Sequence, residues 1–308
     1  MLIERKKCPA CTSLTFREIY RESYNKGAIK EYCIDKRYDL DILKDFYYDL
    51  LECKDCGLLY QKYIPNKDLL DLIYNKWLRQ KKNIDIYDPS FNPYRKEKTL
   101  FCINEINRII PLFNKPARKL KILDFGMGWA SLGQIAKCMG MDVYGFDFAT
   151  IFMNHANRNG IKTVDINNIK TMKFDFINTD QVFEHLTNPL DDLRLLEKSL
   201  KSNGIIKISV PGTFFVKRMV RRGVSSEIFN LKGTYFTLNA IAPLQHINGF
   251  TRKSIVKMGE KANLIEFKEP IKNIWKNSIK VVSAKNLIKI YLRPISRLFD
   301  SYVFLTKL

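Results

Sequence analysis

The chain has 308 residues, 46% of them hydrophobic and 27% charged, which is enough apolar side chain for the cores of one small and one medium domain and excludes a fibrous or disordered polymer. No stretch reaches the roughly 18–20 continuous apolar residues of a membrane span, and the start MLIERKKCPAC lacks the apolar run of a secretory signal, so a soluble cytoplasmic protein is expected. Its 52 Lys and Arg against 32 Asp and Glu leave a formal charge of +20; this favours anionic partners such as nucleic acid, phosphorylated small molecules or an acidic membrane surface, without choosing among them.

The first element is a cysteine framework. Cys8 and Cys11 form a C-P-A-C step and Cys53 and Cys56 a C-K-D-C step, while Cys33, Cys102 and Cys138 stand alone. Two residues between thiolates form a tight knuckle that aims both sulfurs at one ion, and two knuckles complete the closed tetrahedral shell of a structural zinc site. Disulfides explain such pairs less well in a reducing compartment. Between the knuckles, alternating stretches at 15–20 and 47–51 predict short strands, so residues 1–64 read as a zinc ribbon with an enlarged loop. A unit this small depends on its metal for stability, and a closed shell does no catalysis.

Helical periodicity at 68–81 and 94–113 predicts a helical connection over 65–118. From residue 119 to 285 short apolar runs alternate with helical segments, the pattern of βαβ units and a doubly wound, mostly parallel seven-stranded α/β sheet. Predicted strands are 120–125, 142–147, 161–165, 174–180 and 204–210, then a helix at 252–263 and strands near 264–268 and 278–283. The tail 286–308 repeats apolar residues at helical spacing among basic ones and predicts an amphipathic helix that docks on the core or rests on an anionic membrane.

The segment Leu123-Asp124-Phe125-Gly126-Met127-Gly128-Trp129-Ala130 closes the first of these strands and opens a helix, where glycines let the backbone turn and approach a ligand. Ser131 stands where a dinucleotide fingerprint needs its third glycine. Asp147 ends the second strand, placed for a carboxylate to accept ribose hydroxyls, with Phe148 beside it to pack on adenine. Asp165 ends the third strand with Ile166 next, and Asp180 ends the fourth with Gln181 next. Taken in order, LDFGMGWA, YGFDFA, VDI, FDFINTDQVFEHLTNP and IIKISVP resemble class I S-adenosylmethionine-dependent methyltransferases. CPAC with YYDLLECKDCGLLYQKYIP and DLLDLIY resembles the N-terminal zinc-binding part of bacterial methyltransferases of sugar and surface-polysaccharide pathways. The resemblance implies that Asp124, Gly126 and Gly128 hold the methionine end of the cofactor, Asp147 the ribose, Asp165 and Ile166 the adenine, and that Asp180 and Gln181 line the methyl-transfer site.

A hydroxyl or acidic carbon acceptor must lose a proton, and imidazole suits that task. Of the three histidines, His185 and His246 are the candidate bases, while His155 reads as an ordinary helix residue. Residues 212–250 form a long connection of the kind that covers a substrate. Its Lys217, Arg218, Arg221 and Arg222 beside Phe214, Phe215, Tyr235 and Phe236 suit a phosphorylated saccharide. The expected activity is O- or C-methylation of a sugar or glycan precursor such as a nucleotide-sugar. The alternatives are an RNA methyltransferase that uses the ribbon and the positive charge for RNA, and a non-catalytic binding protein on the same fold.

Overall fold

The structure is a computed structural model that describes residues 1–73, 96–230, 237–270 and 302–307. The described strands are β1 (Leu2–Glu4), β2 (Phe16–Ser23), β3 (Tyr47–Cys53), β4 (Leu59–Gln61), β5 (Tyr63–Pro65), β6 (Lys121–Phe125), β7 (Asp142–Phe146), β8 (Lys162–Thr163), β9 (Phe174–Asp180), β10 (Leu200–Ser209), β11 (Asn248–Gly249), β12 (Leu264–Glu266) and β13 (Tyr302–Lys307). They fall into two compact units that do not follow linear order.

One unit draws on Met1–Phe91, Phe183–Leu190 and Val210–Met258. Its sheet has the order β11-β4-β3-β2 with every pairing antiparallel, and β1 pairs separately with β5. The strands expected at 15–20 and 47–51 are β2 and β3, paired from Phe16↔Cys53 to Ser23↔Tyr47. Their apolar side carries Tyr24, Tyr48 and Leu50, joined by Tyr32 of the helix Gly27–Asp35. Val216, Phe229, Leu238, Ile241 and Leu244 pack in the same core, and the Tyr48 hydroxyl donates to the Ile241 carbonyl at 2.7 Å. Much of the connection expected to cover a substrate over 212–250 is thus core of the N-terminal unit, because its helix Val216–Arg222 needs an apolar surface for its inward side.

The other unit draws on Asn92–Val182, Asp191–Ser209 and Gly259–Leu308. Its seven-stranded sheet runs β12-β13-β10-β9-β6-β7-β8, parallel except that β13 is antiparallel to both neighbours. The chain winds outward from β6 through the helices Ser131–Cys138 and Thr150–Arg158 to β7 and β8, then restarts on the other side of β6 with β9 and β10. Right-handed crossovers running in opposite directions put their helices on opposite faces, and the reversal between β6 and β9 opens a crevice at the carboxyl ends of the strands. Ile122, Phe176 and Ile205 of the sheet, with Cys102, Ile106 and Ala136 of the helices, form the core.

One expectation changes at the C-terminal side. The strand expected near 278–283 and most of the tail helix, 286–301, lie outside the described residues. Tyr302–Lys307 is strand β13, inserted between β10 and β12, and is neither helix nor membrane anchor. Val303, Phe304 and Leu305 are all buried, and a short apolar run covered on both faces has no period that tells strand from helix. Among the described residues no helix is long and apolar enough to cross a membrane. Leu305 is fully buried, so Leu305→Ala is expected to cost about 2–5 kcal/mol, read as a fall in the urea midpoint; a change under about 1 kcal/mol would mean that β13 is not a core strand.

Candidate functional site

Four adjacent parallel strands, β9, β6, β7 and β8, bring the predicted cofactor residues to one edge of the second unit. Asp124 and Gly145 are register partners, as are Phe125 and Phe146, and Gly145 pairs with Thr163 on β8. Gly126 follows β6 directly and donates its N–H to the Phe146 carbonyl at 2.8 Å. Its φ of +73° is one that L side chains rarely adopt, and a Cβ there would lie 2.4 Å from Val182 Cγ2. The Gly128 N–H reaches the Asp147 carboxylate at 2.9 Å, while the other carboxylate oxygen takes the Ala149 N–H at 2.9 Å. Around a Cβ built on Gly128 there is open space, so the turn can admit a ligand beside its backbone.

Phe148, 64% exposed, stands beside Asp147 with its ring edge-on to Phe125 and Phe146. Asp165 caps the short helix Ile166–Ile169 by accepting the Asn167 N–H at 2.8 Å, and the Val164 N–H donates to the Gly145 carbonyl at 3.0 Å, which binds this segment to β7. Asp180 ends β9 with Lys98 at 3.7 Å. Gln181 follows with φ +58° and donates its N–H to the Ser209 carbonyl. Ala130 also takes a left-handed φ of +56°. Two non-glycine residues in this region, each costing on the order of 1 kcal/mol, mark an edge shaped for something other than stability.

Burial sets the electrostatics here. Asp124 is pushed up to about 6 by its removal from water, against the pull of the Asn178 amide, which donates to it at 2.7 Å. Asp147 is also raised by burial, although the N–H groups of Ala149, Gly128 and Phe148 favour its charged form. Asn178 is a positioning residue that sequence reasoning missed; its signal was an amide in the middle of the buried run Phe174–Asp180. A separate cavity of about 690 Å³ lies where β9 and β10 begin, lined by Lys115, Asp175, Lys201 and Lys307 among others. Lys115 and Lys201 pair with Asp175 there, and Lys307 pairs with Glu197.

The first unit holds two further groupings. The sulfurs of Cys8, Cys11, Cys53 and Cys56 all lie within 4.8 Å of one another, with Cys8–Cys56 and Cys11–Cys53 both at 3.6 Å. Four sulfurs about 2.3 Å from one zinc stand about 3.8 Å apart, so the spacing fits that ion. Each knuckle turns at the residue after its second cysteine, Thr12 at φ +65° and Gly57 at φ +77°. A shared hydrogen bond pulls Cys8 down to about 6 and pushes Cys56 up; two thiols this close do not both ionise without a cation between them.

The second grouping joins His185 and His246, the predicted bases, which lie with ring centroids 4.7 Å apart. His185 Nδ1 meets the Gln245 carbonyl at 2.9 Å, and His246 Nδ1 meets the carbonyl of Asn239. Burial lowers the pKa of His185, and the Gln245 carbonyl only partly offsets it. Asn248 Nδ2 donates to the carbonyls of Phe183 and Leu186, and Gln61 Nε2 to those of Ala242 and His246. Arg5 donates to Leu186, Thr187 and Ile247 carbonyls and to Asn248 Oδ1. None of these three braces was legible, because each acts on residues at least 181 positions away or through a lone amide. His155 instead packs edge-on against Trp129 on the helix Thr150–Arg158. Lys217, counted toward a phosphate surface, pairs with Glu52 at 2.8 Å; Tyr235 and Phe236 lie outside the described residues.

A glycine-bearing turn, an acidic second strand end and this strand order define a Rossmann-like methyltransferase fold. A family model described as a methyltransferase domain matches residues 94–265, more than half of the chain, and the chain belongs to that family. It is a class I S-adenosylmethionine-dependent methyltransferase, which sets aside the non-catalytic alternative. No curated protein matches the chain. Among solved structures it is similar to the plantazolicin methyltransferase BpumL in complex with SAH (16% identity, 70% of this chain and 86% of that one, TM-score 0.44). It is also similar to PKMT2 from Rickettsia typhi in complex with AdoHcy (17%, 70% and 55%, 0.43) and to a SAM-dependent methyltransferase from Archaeoglobus fulgidus (17%, 68% and 94%, 0.42).

The raised Asp124 makes stability depend on pH. Its folded pKa of about 6 lies above the ordinary 3.8, so between those values the folded chain binds more protons than the unfolded one and stability falls as pH rises. Two pKa units correspond to about 3 kcal/mol. Asp124→Asn is expected to flatten this part of the stability curve, measured by urea unfolding at stepped pH; an unchanged curve would place the carboxylate in water.

Proposed function

We propose that the chain methylates an oxygen or carbon of a phosphorylated saccharide such as a nucleotide-sugar, with zinc held by Cys8, Cys11, Cys53 and Cys56. In this reading Asp147 holds the ribose of the cofactor, and Asp165 and Ile166 its adenine against Phe148. Asp124, Gly126 and Gly128 take the methionine end, with Asp180 and Gln181 bordering the sulfonium. Gly126 and Gly128 suit this role because a side chain at the first would strike Val182 and the second leaves its turn open. Bound S-adenosylmethionine supplies an electrophilic methyl carbon for in-line displacement, so the chain's task is to align the acceptor and take its proton.

The observation that carries the choice of acceptor is the histidine pair. An amine nucleophile brings its own lone pair, whereas a hydroxyl or an acidic carbon needs a base. His185, lowered by burial, is neutral at pH 7 and able to accept that proton. Arg218, Arg221 and Arg222 are exposed on the helix Val216–Arg222 at helical spacing, where guanidinium forks suit a phosphate. The resemblance of the N-terminal cysteine segment to sugar-pathway methyltransferases points the same way. The +20 charge also favours RNA, and tight RNA binding that weakens steeply with salt would move the assignment there.

Labelled cofactor incubated with a panel of nucleotide-sugars is expected to label at least one of them; cofactor binding with no transfer to any saccharide overturns the acceptor class. Asp147→Ala is expected to weaken cofactor binding by about tenfold or more in calorimetry, the loss of a charge-assisted contact worth about 1.5–3 kcal/mol. With His185 as base, kcat/KM holds at neutral pH and falls only as pH drops through a value below the ordinary 6.5; a break above 6.5 excludes it. Metal analysis is expected to find zinc that Cys56→Ser releases, with the N-terminal unit losing its cooperative melt.

A further inference from the structure

A row of three polar side chains crosses the buried face of the seven-stranded sheet. Lys207 on β10 is the register partner of Asn178 on β9, and Asn178 that of Asp124 on β6. Register partners on parallel strands point to one face, and the row two residues earlier, Ile205, Phe176 and Ile122, belongs to the apolar core. Lys207 has no exposed surface, and Asn178 and Asp124 are buried. Apolar side chains in place of a buried ion pair are often neutral or stabilising, so packing alone does not call for a lysine here.

The helix Lys96–Ile109 holds one end of the row. Glu105 Oε2 lies 2.7 Å from Lys207 Nζ and accepts the Tyr302 hydroxyl at 3.2 Å. Burial works against the ammonium, but Glu105 more than offsets it and keeps the Lys207 pKa above its ordinary value, so Lys207 is a cation at neutral pH. At the other end Asn178 Nδ2 donates to Asp124 Oδ1 at 2.7 Å. The Asn178 Oδ1 is buried without a hydrogen-bond donor among the described residues, a state that a nearby positive charge eases. Around Asp124, β7 brings Gly145 and the helix Ser131–Cys138 brings Gly133, neither with a charge. The helix Lys96–Ile109 adds Lys98, which lies 3.7 Å from Asp180, and Cys102, whose thiol is pushed up to about 11 by burial. Burial raises the pKa of Asp124; the Asn178 amide opposes the rise, Asp180 adds to it, and Lys207 and Lys98 oppose it.

We propose that Lys207 is a positioning residue for cofactor binding: its buried ammonium, in one register row with Asn178 and Asp124, keeps the Asp124 carboxylate ionised for the ammonium of the cofactor's methionine end. This rests on the reading that Asp124 takes the methionine end. A protonated Asp124 would keep its place beside Asn178 but meet that ammonium as a neutral group, so affinity for the cofactor follows the ionised fraction of Asp124. Glu105 in turn keeps Lys207 charged, and Asn178 fixes the direction of the carboxylate.

The test is the pH profile of S-adenosylhomocysteine binding by the full chain in calorimetry, because this product keeps the methionine ammonium and needs no methyl acceptor. Asp124 titrates at about 6. Loss of a neighbouring charge that raises this by about 1 lowers the ionised fraction at about pH 6 from about a half to about a tenth. Lys207→Met is therefore expected to weaken binding about fivefold at about pH 6 and to leave it nearly unchanged at about pH 8. An unchanged profile overturns the proposal, and so does a loss of equal size at both pH values, the mark of disturbed packing. Where urea unfolding shows Lys207→Met to be unfolded, the double variant Lys207→Met with Glu105→Gln removes both charges of the pair and carries the test. Asp124→Asn separates the proposal from the reading beneath it, and is expected to bind weakly with no break near pH 6. If Asp124→Asn binds as the wild type does, Asp124 does not hold the methionine end and the role of Lys207 falls with it. If Asp124→Asn loses the break while Lys207→Met keeps the wild-type profile, the role of Lys207 alone is overturned.

Discussion

The N-terminal unit turns on the burial of Arg5. A guanidinium withdrawn from water costs several kcal/mol unless oxygens replace its hydration, and burial here pulls its pKa down to about 9. The replacement comes from Thr187 and Asn248 at 2.9 and 2.8 Å, with the Ile247 and Leu186 carbonyls at 3.2 and 3.4 Å. Three residues before the first cysteine, one side chain therefore fixes the backbone just after His185 and just after His246. Arg5 thus braces both segments that carry the histidine pair, beside Gln61 and Asn248.

The other unit satisfies the same constraint with paired charges. Lys207 has no exposed surface, yet stands near the end of β10 with Glu105 at 2.7 Å. Arg108 bridges Glu105 to Glu269 and lies over the Tyr302 ring. Breaking one member of such a network strands a charge and costs more than the pairing itself contributes. The C-terminal strand is thereby held by electrostatics as well as by Val303 and Leu305. At the carboxyl edge of the sheet the balance is different: Asp124 and Asp147 are raised by burial, and Ala130 and Gln181 hold left-handed backbones. That edge gives up stability to keep carboxylates poised.

The sheet was legible wherever short apolar runs alternated with helical periods. Strands β6, β7, β9 and β10 stand where the pattern put them, and Asp147 and Gly126 came with them because strand ends in a parallel sheet share an edge. The four-cysteine spacing was legible because knuckle geometry is local. What stayed hidden was non-local: β13 could not be told from a helix, since both of its faces are covered, and the braces from Arg5, Gln61 and Asn248 join segments that no sequence window contains. His185 and His246 were each visible as imidazoles, but their adjacency follows from turns that Gln61 and Asn248 impose.

Strand β11, only Asn248 and Gly249, completes the N-terminal sheet by pairing with Tyr60 and Leu59. A ribosome making this protein emits β4 almost 190 residues before that last rung (248 − 60 = 188). Until then β4 has an uncovered edge and the tyrosines of β3 lack their lid, the condition in which nascent chains associate wrongly. This unit therefore closes its sheet only after strands β6 to β10 of the other unit have been made.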